Sequence, residues 1–186
     1  FSNTVSFSTA GDNGNTRFSL TNLDNDDISP NSTLDRNSIG INTSQNVGKN
    51  IRIDANLKYL LEDQSGNPRL SDGPGNANWI INHTSPSVDV NWGKGPNGDG
   101  RNDDLSEYQM TPSIYIQNPW FAQNYYVNDS EKERFIGSIN MRWDLTDWLY
   151  ARARVGADRY DLHRTQSEPF GTGYKPKGGI NHYKLA

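Results

Sequence analysis

The chain has 186 residues, no cysteine and a net charge of −4. A mean hydropathy of −0.88 excludes apolar transmembrane helices, but not transmembrane strands, whose loops and inner faces are polar. The lack of cysteine excludes disulfides, thiolate catalysis and cysteine-bound zinc, and the mild acidity argues against nucleic acid as a partner.

In chain order, Val5 and Phe7 lead into the turn formers Gly11-Asp12-Asn13-Gly14-Asn15, and Phe18 and Leu20 lead out. This predicts a first hairpin, with strands near 2–10 and 16–24. Ile39 and Ile41 alternate with polar residues in a third strand near 34–45, which ends at the turn-rich Asn46–Asn50. The fourth, near 51–63, is the clearest. Ile51, Ile53, Ala55, Leu57, Tyr59 and Leu61 fall on one face; Arg52, Asp54, Asn56, Lys58 and Glu62 fall on the other. A helix would scatter those six apolar groups around its circumference, so the period of two is decisive.

Residues 64–133 form one long excursion rich in Gly, Pro and Asn, which predicts no packed domain of its own. A short helix is expected at Asn76–His83. Two more strands follow, near 134–145 and 149–161. Phe135, Ile139, Met141, Trp143 and Leu145 share a face on the first, with Gly137 the one gap; Leu149, Ala151, Ala153, Val155 and Ala157 share a face on the second. Arg134, Arg142, Arg152 and Arg154 take the opposite parity. The two strands meet at the short break Leu145–Trp148.

The strands are about twice the usual 5–6 residues and match membrane-crossing strands of roughly 9–11. Trp143, Trp148 and Tyr150 sit where an interfacial girdle places aromatics. The fold class read from this pattern is all-β: about six antiparallel strands of a larger transmembrane β-barrel, with long extracellular loops. A membrane barrel needs about 8 strands or more, so the chain is expected to be part of one. The organisation follows as barrel strands over 1–63, a long extracellular loop over 64–133, a barrel hairpin over 134–161 and the start of a further loop over 162–186. Short connections are periplasmic and long ones extracellular in such barrels, which orients strand 51–63 outward.

Three stretches resemble the SusC/RagA family, the TonB-dependent outer-membrane transporters of Bacteroidota. In TAGDNGNTRFSLTNLDNDDISPNSTLDRNSIGIN, the residues Thr16, Phe18, Leu20, Asp24, Ile28, Pro30, Asn31, Ser32, Leu34 and Arg36 stand at the family's pattern positions. Asn118-Pro119-Trp120-Phe121 is similar to its Asn-Pro-Tyr-Trp loop motif, and Leu145-Thr146-Asp147-Trp148-Leu149 to its common periplasmic turn. Asp27 and Ser29 replace the usual glycine near the proline, and Phe121 stands where Trp is common. The resemblance implies a large barrel with an internal plug, a TonB link in other parts of the protein, a SusD-type surface lipoprotein as lid, and an oligosaccharide or peptide cargo imported across the cell outer membrane. It implies no cofactor.

No catalytic constellation is visible, so no enzyme activity is expected. His83, His163 and His182 lie apart, without metal-ligand spacing. Residues 95–107 echo a calcium loop, but Gly95 replaces the first carboxylate and Glu107 is misplaced by one, so a solvated polar turn is the expectation. The candidate substrate-binding residues are Trp79, Trp92, Asn118, Trp120, Phe121, Tyr125 and Tyr126. Aromatic faces match the C–H face of a pyranose, while packing against the rim or lid is the competing role, and packing is favoured for Asn118. The lumen-side Arg52, Lys58, Arg142, Arg152 and Arg154 are expected to pair with acidic plug residues in preference to acidic cargo. A soluble β-rich carbohydrate-binding module and a partial barrel caught during envelope assembly or export are the alternatives.

Overall fold

A computed structural model describes residues 1–185. Seven strands form one antiparallel sheet in chain order: β1 (Ser2–Gly11), β2 (Gly14–Asp26), β3 (Thr33–Val47), β4 (Ile51–Ser65), β5 (Val127–Asp144), β6 (Tyr150–Glu168) and β7 (Gly179–Leu185). The sheet is open, with β1 and β7 at its edges. Between β4 and β5 lie helix α1 (Ala77–His83), a 3₁₀ turn (Val90–Lys94) and helix α2 (Pro119–Tyr125). None of these helices is long and apolar enough to cross a membrane.

The sheet is larger than the sequence pattern shows. β5 begins at Val127 rather than 134, and β6 runs to Glu168 rather than 161. β7 lies inside the segment read as loop, 162–186, which gives seven strands instead of six. The added strand ends carry sequences such as Asn128-Asp129-Ser130-Glu131-Lys132. They are polar on both faces, so no alternation marks them. Their pairing with neighbouring strands makes them strand.

The register stacks the apolar positions into continuous rows. Phe7, Phe18, Ile41, Leu57, Gly137 and Ala157 are successive partners across β1 to β6. One step outward, Val5, Leu20, Ile39, Tyr59 and Phe135 align across β1 to β5; one step the other way, Ala55, Ile139 and Val155 do. Gly137 is the gap in that face because its neighbours fill it. A Cβ there would lie 2.9 Å from the Phe135 ring and 3.0 Å from Leu57.

These apolar rows are not covered. Val5, Phe7 and Val155 are 72%, 70% and 73% exposed, and the buried hydrophobic residues all lie in the loops. The opposite face carries Ser, Asn, Arg, Lys and Asp. Arg36 pairs there with Glu62, and Arg134 with Asp158 through two hydrogen bonds.

The short connections, at Asp12–Asn13, Gly48–Asn50 and Leu145–Leu149, gather at one end of the sheet. The long ones, 27–32, 66–126 and 169–178, gather at the other. The register is directly testable because the chain has no cysteine. Thr43→Cys with Ala55→Cys, which are cross-strand partners, should oxidise to a disulfide. Thr43→Cys with Leu57→Cys, the pair that a two-residue slip would align, should stay reduced when scored by gel shift.

Candidate functional site

The long connections fold onto one another as a cap at one end of the sheet. The expectation of an unpacked excursion is corrected by its interior: Ala77, Ile80, Phe121, Ala122 and Tyr126 form a buried cluster, with Trp79, Ile116, Tyr125 and Tyr174 against it. The glycines that suggested loose chain instead permit close packing. Gly100 has φ +93°, and a Cβ there would lie 2.3 Å from the Phe121 amide.

Glu107 fastens the cap. It is 2% exposed, and among the described residues no Lys, Arg or His side chain pairs with its carboxylate. Three groups donate to it instead: the Asn118 amide, the Gly173 amide at 2.9 Å and the Thr172 hydroxyl at 3.2 Å. Thr172 in turn shares a 2.8 Å hydrogen bond with the Tyr126 hydroxyl. One carboxylate therefore ties the β4–β5 connection to the β6–β7 connection. Burial pushes its pKa up, and the three hydrogen bonds only partly oppose that. Burial likewise pushes the Tyr126 hydroxyl up to about 12.

Further ties anchor the cap to the strands. The Asn128 side chain donates to Asn67 O at 2.9 Å and accepts from Arg164 and Gln166. Arg69 pairs with Glu168 and lies 5.3 Å above the Tyr126 ring. The side chain of Asn31, in the β2–β3 connection, donates to Asn124 at 3.1 Å.

The seven residues singled out from the sequence divide sharply in this cap. Asn118 is buried at the start of α2. Its Oδ1 accepts from the Trp120 amide at 2.9 Å and caps the helix, with Pro119 at the first turn; its Nδ2 donates to Gly93 O and Tyr108 O. Phe121 and Tyr126 are core residues. Tyr125 donates to Asp99, with the Arg101 guanidinium 4.1 Å above its ring. Trp79 stacks on His83 at 4.1 Å. Trp92 is half exposed and meets Tyr108 edge-on. The NPWF motif is thus a helix start, and Trp92 and Trp120 are the members best placed at the surface.

Trp120 lines a groove of about 240 Å³ between the β2–β3 connection, α1 and α2. Its walls are Ile28, Pro30, Ala77, Ile81, Val90 and Pro119, with the amides of Asn78, Gln123 and Asn124 at the rim. The Trp120 indole N–H donates to Val90 O at 2.9 Å, and Lys94 lies 4.6 Å from its ring, so the side chain is held in place. Ile28 is 99% exposed at the groove's edge. The signal for it was legible: an isoleucine amid Asp26, Asp27 and Ser29 has no local strand face to serve.

The residues of the calcium-loop echo do not converge. Glu107 points into the cap interior, and Asp99 takes Arg101 and Tyr125. Among the described residues no group of three or more His, Asp or Glu side chains is placed to hold a metal. Comparison with protein-family models gave no match, and comparison with curated proteins gave none.

Removing the Glu107 carboxylate leaves buried donors unpaired, at about 1–3 kcal/mol each. Glu107→Ala should therefore lower the cap's local stability by about 2–4 kcal/mol, read as lost hydrogen-exchange protection at Asn118 and Gly173. Because the folded pKa is raised, the unfolded chain gives up this proton first. Cap stability should fall as pH rises from the ordinary glutamate value of about 4.3 through the raised one. Glu107→Gln should flatten that slope in the same exchange experiment.

Proposed function

We propose that this sheet is a stretch of the wall of an outer-membrane β-barrel, and that the protein is a TonB-linked transporter working with a SusD-type surface lipoprotein. The observation that carries the reading is the uncovered apolar face. A soluble monomer seldom exposes a contiguous apolar patch beyond a few hundred Å². This one runs across six strands, with Phe7, Phe18, Ile41, Leu57 and Ala157 in one row. From Ile51 to Tyr59 the rows cover about 27 Å along the strand at about 3.4 Å per residue, or about 20 Å along a membrane normal at a tilt of roughly 40°. Side-chain reach extends that toward the apolar band of about 25 Å typical of such barrels.

The ends of the band support the same reading. Trp143 and Trp148 mark the short-turn end, while Tyr59 and Phe135 mark the other. Beyond them the apolar parity turns acidic, with Asp24, Asp35, Asp63 and Glu131 in one row across β2 to β5. An acidic row belongs outside hydrocarbon. In this reading the short turns are periplasmic, the cap is extracellular, and the groove beside Trp120 faces cargo or lid. The resemblance of the Thr9–Asn42, Asn118–Phe121 and Leu145–Leu149 stretches is what points to the family and to the import of oligosaccharides or peptides.

The reading predicts opposite responses on the two faces. Leu57→Arg or Val155→Arg should cost about 2–4 kcal/mol of folding stability in lipid vesicles, measured by denaturant titration. Spin labels at Ile53, Ala55 and Ile139 should meet apolar quenchers, and labels at Asn56 and Arg152 should not. Greater lipid exposure at Asn56 would reverse the faces. A monodisperse, cooperatively unfolding monomer in aqueous buffer would overturn the membrane reading and favour the soluble binding module.

A further inference from the structure

The chain contains the dipeptide Asn-Gly twice, at Asn13-Gly14 and Asn97-Gly98. Asparagine before glycine is the pair in which a backbone amide most readily attacks the preceding side chain, because glycine has no Cβ to hinder the approach. Ring closure also needs an amide that can shed its proton and a turn that can rotate. The fold gives that freedom to one copy and withholds it from the other.

Asn13-Gly14 closes the β1–β2 hairpin and is fixed from both sides. Gly14 is the ladder partner of Gly11 on β1 and of Gln45 on β3. The Asn13 carbonyl accepts from the Asn46 amide at 2.6 Å. A Cβ on Gly14 would collide with Ser44 O, so β3 packs directly against this turn. Rotation at Asn13 has to push β3 aside.

Asn97-Gly98 lies in the cap, in a turn that follows the 3₁₀ segment, and both residues are exposed. The Gly98 amide donates to Gly95 O at 3.3 Å, and Asn97 Nδ2 donates to Arg101 O at 3.4 Å. Both bonds are longer than an ordinary N–H···O bond. A Cβ on Gly98 would meet nothing within 4 Å. Small, polar, exposed turns of this kind are where a fold gives the backbone most freedom.

We infer that Asn97 is a site of spontaneous deamidation, and that the fold protects Asn13 from the same reaction. The Gly98 amide nitrogen, after giving its proton to hydroxide, bonds to Asn97 Cγ. The Cγ–Nδ2 bond breaks, ammonia leaves, and a succinimide ring remains. Water opens the ring at either carbonyl to give aspartate or isoaspartate at position 97, with no change of oxidation state. Either product adds a negative charge two residues before Asp99. Isoaspartate also adds a carbon to the backbone of a turn that runs into Gly100, where the chain is pressed against the Phe121 amide. Conversion to isoaspartate therefore loosens the cap at the start of α2. The chemistry needs only the cap and is independent of the barrel wall.

The test holds the intact protein in mildly alkaline buffer and follows it by tryptic peptide mapping with mass spectrometry. Cleavage after Lys94 and Arg101 isolates residues 95–101, and cleavage after Arg17 isolates 1–17. Asn97 should gain the mass of an amide-to-acid exchange about tenfold faster than Asn13 in the folded protein, and at a similar rate in urea. Gly98→Ala should slow the reaction at Asn97 by about tenfold. Equal rates at Asn13 and Asn97 in the folded protein overturn the inference. So does a difference that persists in urea, which would place the cause in the flanking residues and not in the fold. Hydrogen exchange at Phe121 and Ala122 should quicken in the isoaspartate fraction and not in the variant Asn97→Asp; unchanged exchange in the isoaspartate fraction overturns the effect on the cap.

Discussion

Backbone hydrogen bonding between neighbouring strands holds the sheet together, since the sheet buries no hydrophobic core of its own. Six antiparallel ladders join seven strands in chain order, with no crossover. Everything else follows from that register. Side chains alternate with a period of two, so one alignment sends the Ile, Leu, Phe and Val of the aligned rows to one side and Arg36, Arg52, Arg134, Arg142, Arg152 and Arg154 to the other, while Arg159 ends the row of Tyr59 and Phe135, and Leu60 and Ile136 fall on the polar face. A slip of one residue in any ladder between β2 and β6 would turn a guanidinium toward the apolar face. In water such a sheet would be a liability, with an exposed apolar face and two open edges. Within hydrocarbon the apolar face is an asset, and the edges require further strands.

The loop cap obeys a different physics. It is small, polar in composition and rich in glycine, yet it holds all the buried hydrophobic residues. Its organising device is a carboxylate that pairs with no Lys, Arg or His side chain among the described residues. Glu107 spends its lone pairs on two backbone amides and a hydroxyl, so burial is tolerated because the acceptors are used. The Asn118 side chain does the same for α2 and for two carbonyls. Such a network fixes geometry more than it adds stability. It thereby holds in place the walls of the groove beside Trp120 and Ile28, over a thin hydrophobic cluster.

The two faces and the cap together suggest a division of labour. The apolar face has no chemistry beyond its solvent. The cap offers an apolar groove with amides at its rim. The polar face pairs Arg36 and Arg134 with carboxylates near the cap, whereas toward the short turns Arg152 and Arg154 have no carboxylate partner among the described residues.

Much of the sheet was legible in the chain. Ile51 to Leu61 and Phe135 to Trp143 alternate so regularly that only a strand satisfies them, and the turn formers at 11–15 and 46–50 fall at the short connections. The short helix expected over 76–83 forms as α1, and the structure adds that Asn76 stands just before it as its cap, its side chain accepting from the Trp79 amide. The strands and short turns were visible because they are local: period and turn composition depend on neighbours in sequence. The tertiary structure alone decided the rest. Residues 127–133, 162–168 and 179–185 are strand because a partner strand lies beside them, whatever their polarity. Glu107 is an interior anchor because Thr172 and Gly173, sixty-odd positions away, are folded against it. Phe121 is core and Trp120 is groove, though they are adjacent in the chain, because α2 turns one inward and the other outward. Packing partners distant in sequence leave no periodic trace, so composition pointed to an open loop where the fold built a cap.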